Sequence, residues 1–245
     1  PPPRRHAAPA PPDLAMPADI AVDARDVCAL IVATEQHSEL IWREVAGRPL
    51  LGWSVSAFTT APLVARILVV VPEAQVGRAT ELYSQVSQEK IVAVLPGGTR
   101  RRDGVELAVQ TLPDDCRLVA IHDAMRPLVT SALIEVGVAL AHETGVAVPV
   151  EPVKETIKRV RDGVIAGAVP RERLTRVQTP QVFTRALLQE AYQRATPALD
   201  PPDEAALLLT VGLPVSCFEG DAENLRVASV DELPVVEELL RRRRG

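Results

Sequence analysis

From Asp26 onward, short apolar runs alternate with amphipathic segments. Residues 27–33 (VCALIVA), 66–71 (RILVVV), 91–95 (IVAVL) and 118–121 (LVAI) are brief, rich in β-branched side chains and nearly free of polar alternation. That pattern predicts strands buried on both faces. Residues 50–60, 73–88, 100–112 and 130–144 carry apolar positions at helical spacing. Strands alternating with helices predict right-handed crossovers and an α/β three-layer sandwich, its mainly parallel sheet covered on both faces. Ligands of such sheets bind beyond the carboxyl ends of the strands. The loops after Ala33, Leu95 and Ile121 are therefore the places to search.

The pattern changes past Val150. Residues 156–160 and 164–168 flank Arg161-Asp162-Gly163, and an Asp-Gly pair favours a tight hairpin turn. Lys154, Lys158, Arg159 and Arg161 make this hairpin too polar for a core, so it is expected to project. Helices are predicted again at 184–195, 203–211 and 230–243, with a strand at 214–218. The reading is one domain over 26–240 with an arm at about 152–170, between a 25-residue Pro/Ala-rich tail and a basic end at 241–245.

Composition narrows the function classes. A chain of 245 residues supports one large core. No apolar run approaches the roughly 18 residues of a membrane span, so no membrane association is expected. A net charge of -5 counts against a nucleic-acid partner. Cys28, Cys116 and Cys217 lack the paired spacing of a zinc site. Each lies in or beside an apolar stretch, which predicts buried, reduced thiols and a cytoplasmic protein. Proline density predicts disorder over 1–25, and no apolar core of a secretory signal follows the basic start. Arg241–Arg244 suit the negative end of the last helix.

Three segments carry candidate chemistry. Gly97 and Gly98, between a strand and a helix, allow a turn whose amides face a ligand oxygen; a plain connecting turn is the alternative. His122-Asp123-Ala124-Met125-Arg126-Pro127 follows the fourth strand. A carboxylate there is placed to hold Mg²⁺, and Arg126 to meet an anion; an Asp–Arg pair of structural use is the alternative. Arg171 offers a forked donor to phosphate, and Gln178, Thr179 and Gln181 offer directional hydrogen bonds, where a capped loop would otherwise suffice.

In order, GRPLLGWSVSAF (47–58), GGTRRRDGVELAV (97–109), HDAMRPLV (122–129), PVKETIKRV (152–160), RERLTRVQTPQVF (171–183), DEAALL (203–208), GLPV (212–215) and EGDAENLRV (219–227) resemble the 2-C-methyl-D-erythritol 4-phosphate cytidylyltransferases of the non-mevalonate isoprenoid route. The resemblance implies a Rossmann-like twisted sheet of the nucleotide-diphospho-sugar transferase type, with a hairpin arm that pairs two subunits in a homodimer. It implies transfer of CMP from CTP to methylerythritol phosphate, with Mg²⁺ as cofactor. Asp123 would lie at the metal, with Arg171 and Arg226 in the catalytic set. Arg126, Thr156, Arg171 and Thr179 would bind the acceptor, Arg171 reaching across the dimer, and Gly97, Gly98 and Arg43 would serve the nucleotide.

The family's first loop reads Ala-Ala-Gly-x-Gly-x-Arg-Met, followed by Pro-Lys. Here residues 33–44 hold no glycine, two carboxylates (Glu35, Glu39) stand in the loop, and Arg43 is the nearest cation to the missing lysine. Gly104 replaces a serine, Pro202 a threonine, Arg226 a lysine and Ala228 a threonine. Two readings follow: a working cytidylyltransferase, or a non-catalytic dimeric relative that keeps only the sugar-phosphate half. A nucleotidyltransferase for another nucleotide or polyol phosphate is a third.

Overall fold

The computed structural model describes residues 26–34, 39–84 and 89–244. The expected tail over 1–25, Glu35 and the last residues of the 73–88 helix lie outside them. The elements are β1 (Val27–Val32), β2 (Glu44–Val45), β3 (Arg48–Pro49), α1 (Leu50–Thr60), β4 (Val64–Val71), α2 (Val76–Ser84), β5 (Ile91–Pro96), α3 (Arg101–Thr111), β6 (Leu118–Asp123), α4 (Ser131–Thr144) and β7 (Val146–Pro152). They continue with β8 (Ile157–Arg161), β9 (Val164–Val169), β10 (Thr175–Val177), β11 (Gln181–Thr184), α5 (Arg185–Arg194), α6 (Glu204–Thr210), β12 (Cys217–Glu219) and α7 (Leu233–Arg244).

Eight strands form one sheet, running β7-β11-β6-β1-β4-β5, with β10 and β12 also paired to β7. β1 lies parallel between β4 and β6, and β11 runs antiparallel to β6 and β7. Every residue of β1 is buried, but the two faces feed different layers. Val27, Ala29 and Ile31 pack with α1, α4 and α7, whereas Cys28, Leu30 and Val32 pack with α3, α5 and α6. Side chains alternate across a strand, so burial on both faces erases the polar alternation from the sequence.

Local chemistry sets the helix ends. The Thr130 hydroxyl accepts from Leu133 N at the start of α4, and Gly145, at φ 84°, ends that helix in the left-handed region. The arm forms as predicted: β8 and β9 pair antiparallel, with Asp162 and Gly163 at φ 50° and 77° in the turn. Two expectations fail. Cys217 is exposed, because it opens the edge strand β12. Strand β5, at the sheet edge, is not buried on both faces, and Val92 is 52% exposed. Arg241–Arg244 lie in the last helix, where Arg243 Nη2 meets Glu223 at 3.0 Å and its Nη1 donates to Leu128 O.

The stretch after β1 also has a physical account. Leu40–Trp42 form a 3₁₀ turn that buries Ile41 and Trp42, and the Arg78 guanidinium covers the Trp42 ring at 4.2 Å. Residues 40–42 are thus anchored by apolar burial. Among the described residues, no helix is long and apolar enough to cross a membrane.

Candidate active site

A cleft of about 510 Å³ opens at the carboxyl ends of β1, β4 and β5. Val32, Ala33 and Thr34 form one wall, Gly97–Arg101 a second, and Asp200–Pro202 with Arg226 close it. A larger cavity of about 780 Å³ lies at the opposite, amino ends of β1 and β6, beside Cys116, Leu118 and Arg185. The smaller one has the chemistry expected of a sheet of this kind.

Gly97 and Gly98 are glycines for separate reasons. Gly97 N donates to Val71 O at 2.7 Å, and a Cβ on Gly97 would press on that carbonyl at 3.3 Å; Gly98 sits at φ +68°. α3 follows immediately, so its amino end faces the cleft side of the turn. Gly104 in α3 lies so near that a Cβ there would stand 2.3 Å from Gly97 O. The serine found at this place in the resembling family could not be seated without moving the turn.

The three arginines after this turn have fixed partners. Arg100 donates to Asp103 and to Pro197 O, and Arg102 to Thr196 O and Leu199 O. Arg101, on the cleft wall, makes a bidentate pair with buried Glu204 at 2.7 and 2.8 Å. Burial alone would weaken its hold on the proton, but the Glu204 carboxylate more than offsets this and its pKa is raised. A guanidinium has five N–H donors, so Arg101 keeps donors for an anion in the cleft.

Asp123 ends β6 beside this cleft. Its Oδ2 accepts from Arg226 Nε at 2.7 Å and its Oδ1 from Met125 N at 3.0 Å. Burial would push the carboxyl pKa up, but Arg226 and the Met125 amide prevail and hold it below the ordinary value. Behind it, Asp123 N donates to Thr179 Oγ1 at 3.0 Å. The same hydroxyl meets His122 Nδ1 at 3.0 Å, while His122 Nε2 meets Arg126 O at 3.1 Å. Burial brings the His122 pKa down to about 4, so the ring is neutral near pH 7. A carbonyl can only accept, so the ring proton sits on Nε2, and Nδ1 receives the Thr179 hydroxyl.

Of the residues singled out by sequence, Gly97, Gly98 and Arg226 line one cleft, and Asp123 joins them through Arg226. Thr179 stands behind Asp123. Arg126 is tucked under the loop, giving Nη1 to Asn224 O and Nη2 to Val177 O, and burial lowers its pKa. Thr156 and Arg171 are exposed at the base of the arm, where Arg171 donates to Lys154 O. Arg43 is exposed beyond the 3₁₀ turn and is not among the lining residues; Glu39, also exposed, is likewise absent from the wall. Sequence reasoning missed the Arg101–Glu204 pair and the buried amide of Asn224. Both lie inside the quoted motifs, but pairing across 103 residues leaves no local signal.

The model of 2-C-methyl-D-erythritol 4-phosphate cytidylyltransferase matches residues 32–242. The chain belongs to this family. A family enzyme from Dehalococcoides mccartyi strain CBDB1 is 36% identical over 224 residues, covering 89% of this chain and 97% of the relative. The crystal structure of the cytidylyltransferase from Thermus thermophilus is 31% identical and aligns with a TM-score of 0.73, over 87% of this chain and 98% of that one. A synthase structure from Anaerococcus prevotii, 19% identical with a TM-score of 0.79 over 90% and 98% of the two chains, shares the fold. The cytidylyltransferase match spans the cleft, the arm and the segment that carries Arg226.

Proposed function

We propose that the protein transfers the cytidylyl group of CTP to the phosphate of 2-C-methyl-D-erythritol 4-phosphate and releases pyrophosphate. The observation that carries this reading is the Asp123–Arg226 pair facing the Gly97–Gly98 turn across one cleft. An acceptor phosphate oxygen attacks the α-phosphorus of CTP; that O–P bond forms as the bond to the pyrophosphate oxygen breaks. The acceptor oxygen is already ionised, so no general base is needed. Catalysis then rests on alignment and on cations that meet the charge on the leaving group. Arg226 and Arg101 supply such donors, and the Gly97–Gly98 turn lets the triphosphate approach the backbone.

Asp123 is the residue that would hold Mg²⁺. Among the described residues no group of three or more His, Cys, Asp or Glu forms a metal cage. A single carboxylate still fits this ion, which is bound through one or two carboxylates with substrate phosphates and water. When bound, the ion neutralises phosphate charge. Nothing observed favours the non-catalytic reading.

On the acceptor side, Thr156 and Arg171 would come from the arm of a second subunit, with Arg126 and Thr179 shaping the pocket from within. Val160, Val164 and Ile165 on the arm are 65%, 68% and 66% exposed, an apolar set suited to a homodimer contact. The free cysteines suit the reducing cytoplasm.

The test is pyrophosphate release from CTP, methylerythritol phosphate and Mg²⁺. Turnover dependent on both substrates supports the reading, and none above background rejects it. Arg171→Ala is expected to raise KM for the acceptor about 10- to 100-fold, the size of a lost charged hydrogen bond, and to leave KM for CTP unchanged. An unchanged acceptor KM removes Arg171 from the site.

A further inference from the structure

Asp123 and Arg226 are 103 residues apart in sequence, yet their side chains meet at 2.7 Å. The second of them sits on a strap, residues 219–227, that has little regular structure of its own. Something must fix that strap. Gly220 N donates to Val150 O at 2.8 Å at one end, and Val227 N to Met125 O at 2.8 Å at the other. Between these ends Arg126 Nη1 donates to Asn224 O at 2.7 Å and Arg243 Nη2 meets Glu223 at 3.0 Å, and two buried amide side chains join the strap to the segment around Thr179.

Gln178 grips Asp221 from both sides: its Oε1 accepts from Asp221 N at 3.1 Å, and its Nε2 donates to Asp221 O at 2.8 Å. The Nε2 also donates to Glu151 Oε2 at 3.1 Å, which fixes the amide orientation, since a carboxylate cannot donate. The strap passes so close that a Cβ on Gly220 would stand 2.6 Å from Gln178 Oε1. Asn224, fully buried, donates Nδ2 to Thr179 O at 2.8 Å. Thr179 is thus a common reference point. Its hydroxyl holds the amide of Asp123 and its carbonyl holds the strap two residues before Arg226.

We propose that Gln178 and Asn224 are positioning residues, which set the strap so that Arg226 meets Asp123 and act on the reaction only through that pair. The kinetic consequence rests on the cytidylyl-transfer reading; the geometric one does not. Buried amides bonded in this way specify one arrangement, and removing a single donor leaves its acceptor unsatisfied.

The experiment uses the full-length protein, with Gln178→Glu, Asn224→Asp and Gly220→Ala variants. The first readout is the arginine Nε–H spectrum, the Arg226 signal being assigned by its loss in Arg226→Lys. In the unaltered protein this proton is expected to exchange about tenfold more slowly than in the variants, the protection of one hydrogen bond. The second readout is kinetic: kcat falls about 10- to 100-fold on misplacement of an aligning group, with KM for CTP little changed. Combining Gln178→Glu with Arg226→Lys adds nothing further, because both act through one pair. Gly220→Ala disturbs the same amide from the strap side and serves if the buried variants do not fold. Protection unchanged in the folded variants, or kinetic losses that multiply with Arg226→Lys, would overturn the proposal. If the unaltered protein turned over no CTP, the spectrum alone would decide it, and the failure would belong to the proposed reaction.

Discussion

Replacing Asp123 with asparagine is expected to lower kcat by about 10²–10³-fold, the usual cost of losing one preorganised charged contact at a reacting group. The variant keeps the shape of the side chain and the acceptor for Met125 N, but the ion pair between positions 123 and 226 is lost. The residue that would hold Mg²⁺ loses its charge with it. Stability responds much less. Arg226 is 39% exposed and open to water, so the loss is expected to stay within about 1 kcal/mol. The sign of the pH dependence follows from the depressed carboxyl. Its pairing contributes above the ordinary value of 3.8 and fades as pH falls through the lower folded-state pKa. Denaturant titrations of the two proteins should therefore differ at pH 7 and converge in strong acid. A variant with near-normal kcat would remove Asp123 from the reaction.

Gly104→Ser is expected to have the largest effect on stability. In the present backbone its Cβ would stand 2.3 Å from Gly97 O and 2.6 Å from Gly97 Cα, and neither atom belongs to a side chain that can swing away. Overpacking of this kind costs about 1–3 kcal/mol, and contact with backbone places this case at the upper end. The Gly97–Gly98 turn must move if α3 stays, so nucleotide binding should weaken as well. The hydroxyl gives no compensation, although a serine is the residue expected at this place from the resembling sequences. Urea unfolding measures the first effect and calorimetry with CTP the second. A stable variant that bound CTP more tightly would show that the turn adapts freely.

The sheet and its covering helices were legible because burial on both faces writes continuous apolar runs, as in β1, β4 and β6. Strand β7 was not. Pro149 and Pro152 interrupt its apolar run and argue against a strand deep in a sheet, yet it pairs with β10, β11 and β12. In the candidate site, glycines beside a strand end and a carboxylate after a central strand pointed to the same cleft. What the sequence could not convey was saturation. Arg126 looks like a free cation in His122–Pro127, but two backbone carbonyls claim it. Glu204 looks like an ordinary helix residue, but it takes two of the five donors of Arg101 and sets the direction of the rest. Trp42 and Ile41 read as part of a loop and prove to be core.

Activity depends on where the nucleotide goes in a chain whose residues 33–44 hold no glycine. A crystal structure with CTP and Mg²⁺ would test this most directly. The triphosphate is expected against Gly97 and Gly98, within reach of Arg101 and Arg226, with the α-phosphorus turned toward Asp123. A triphosphate seated instead at the amino ends of β1 and β6, against Arg185 and Cys116, would contradict it.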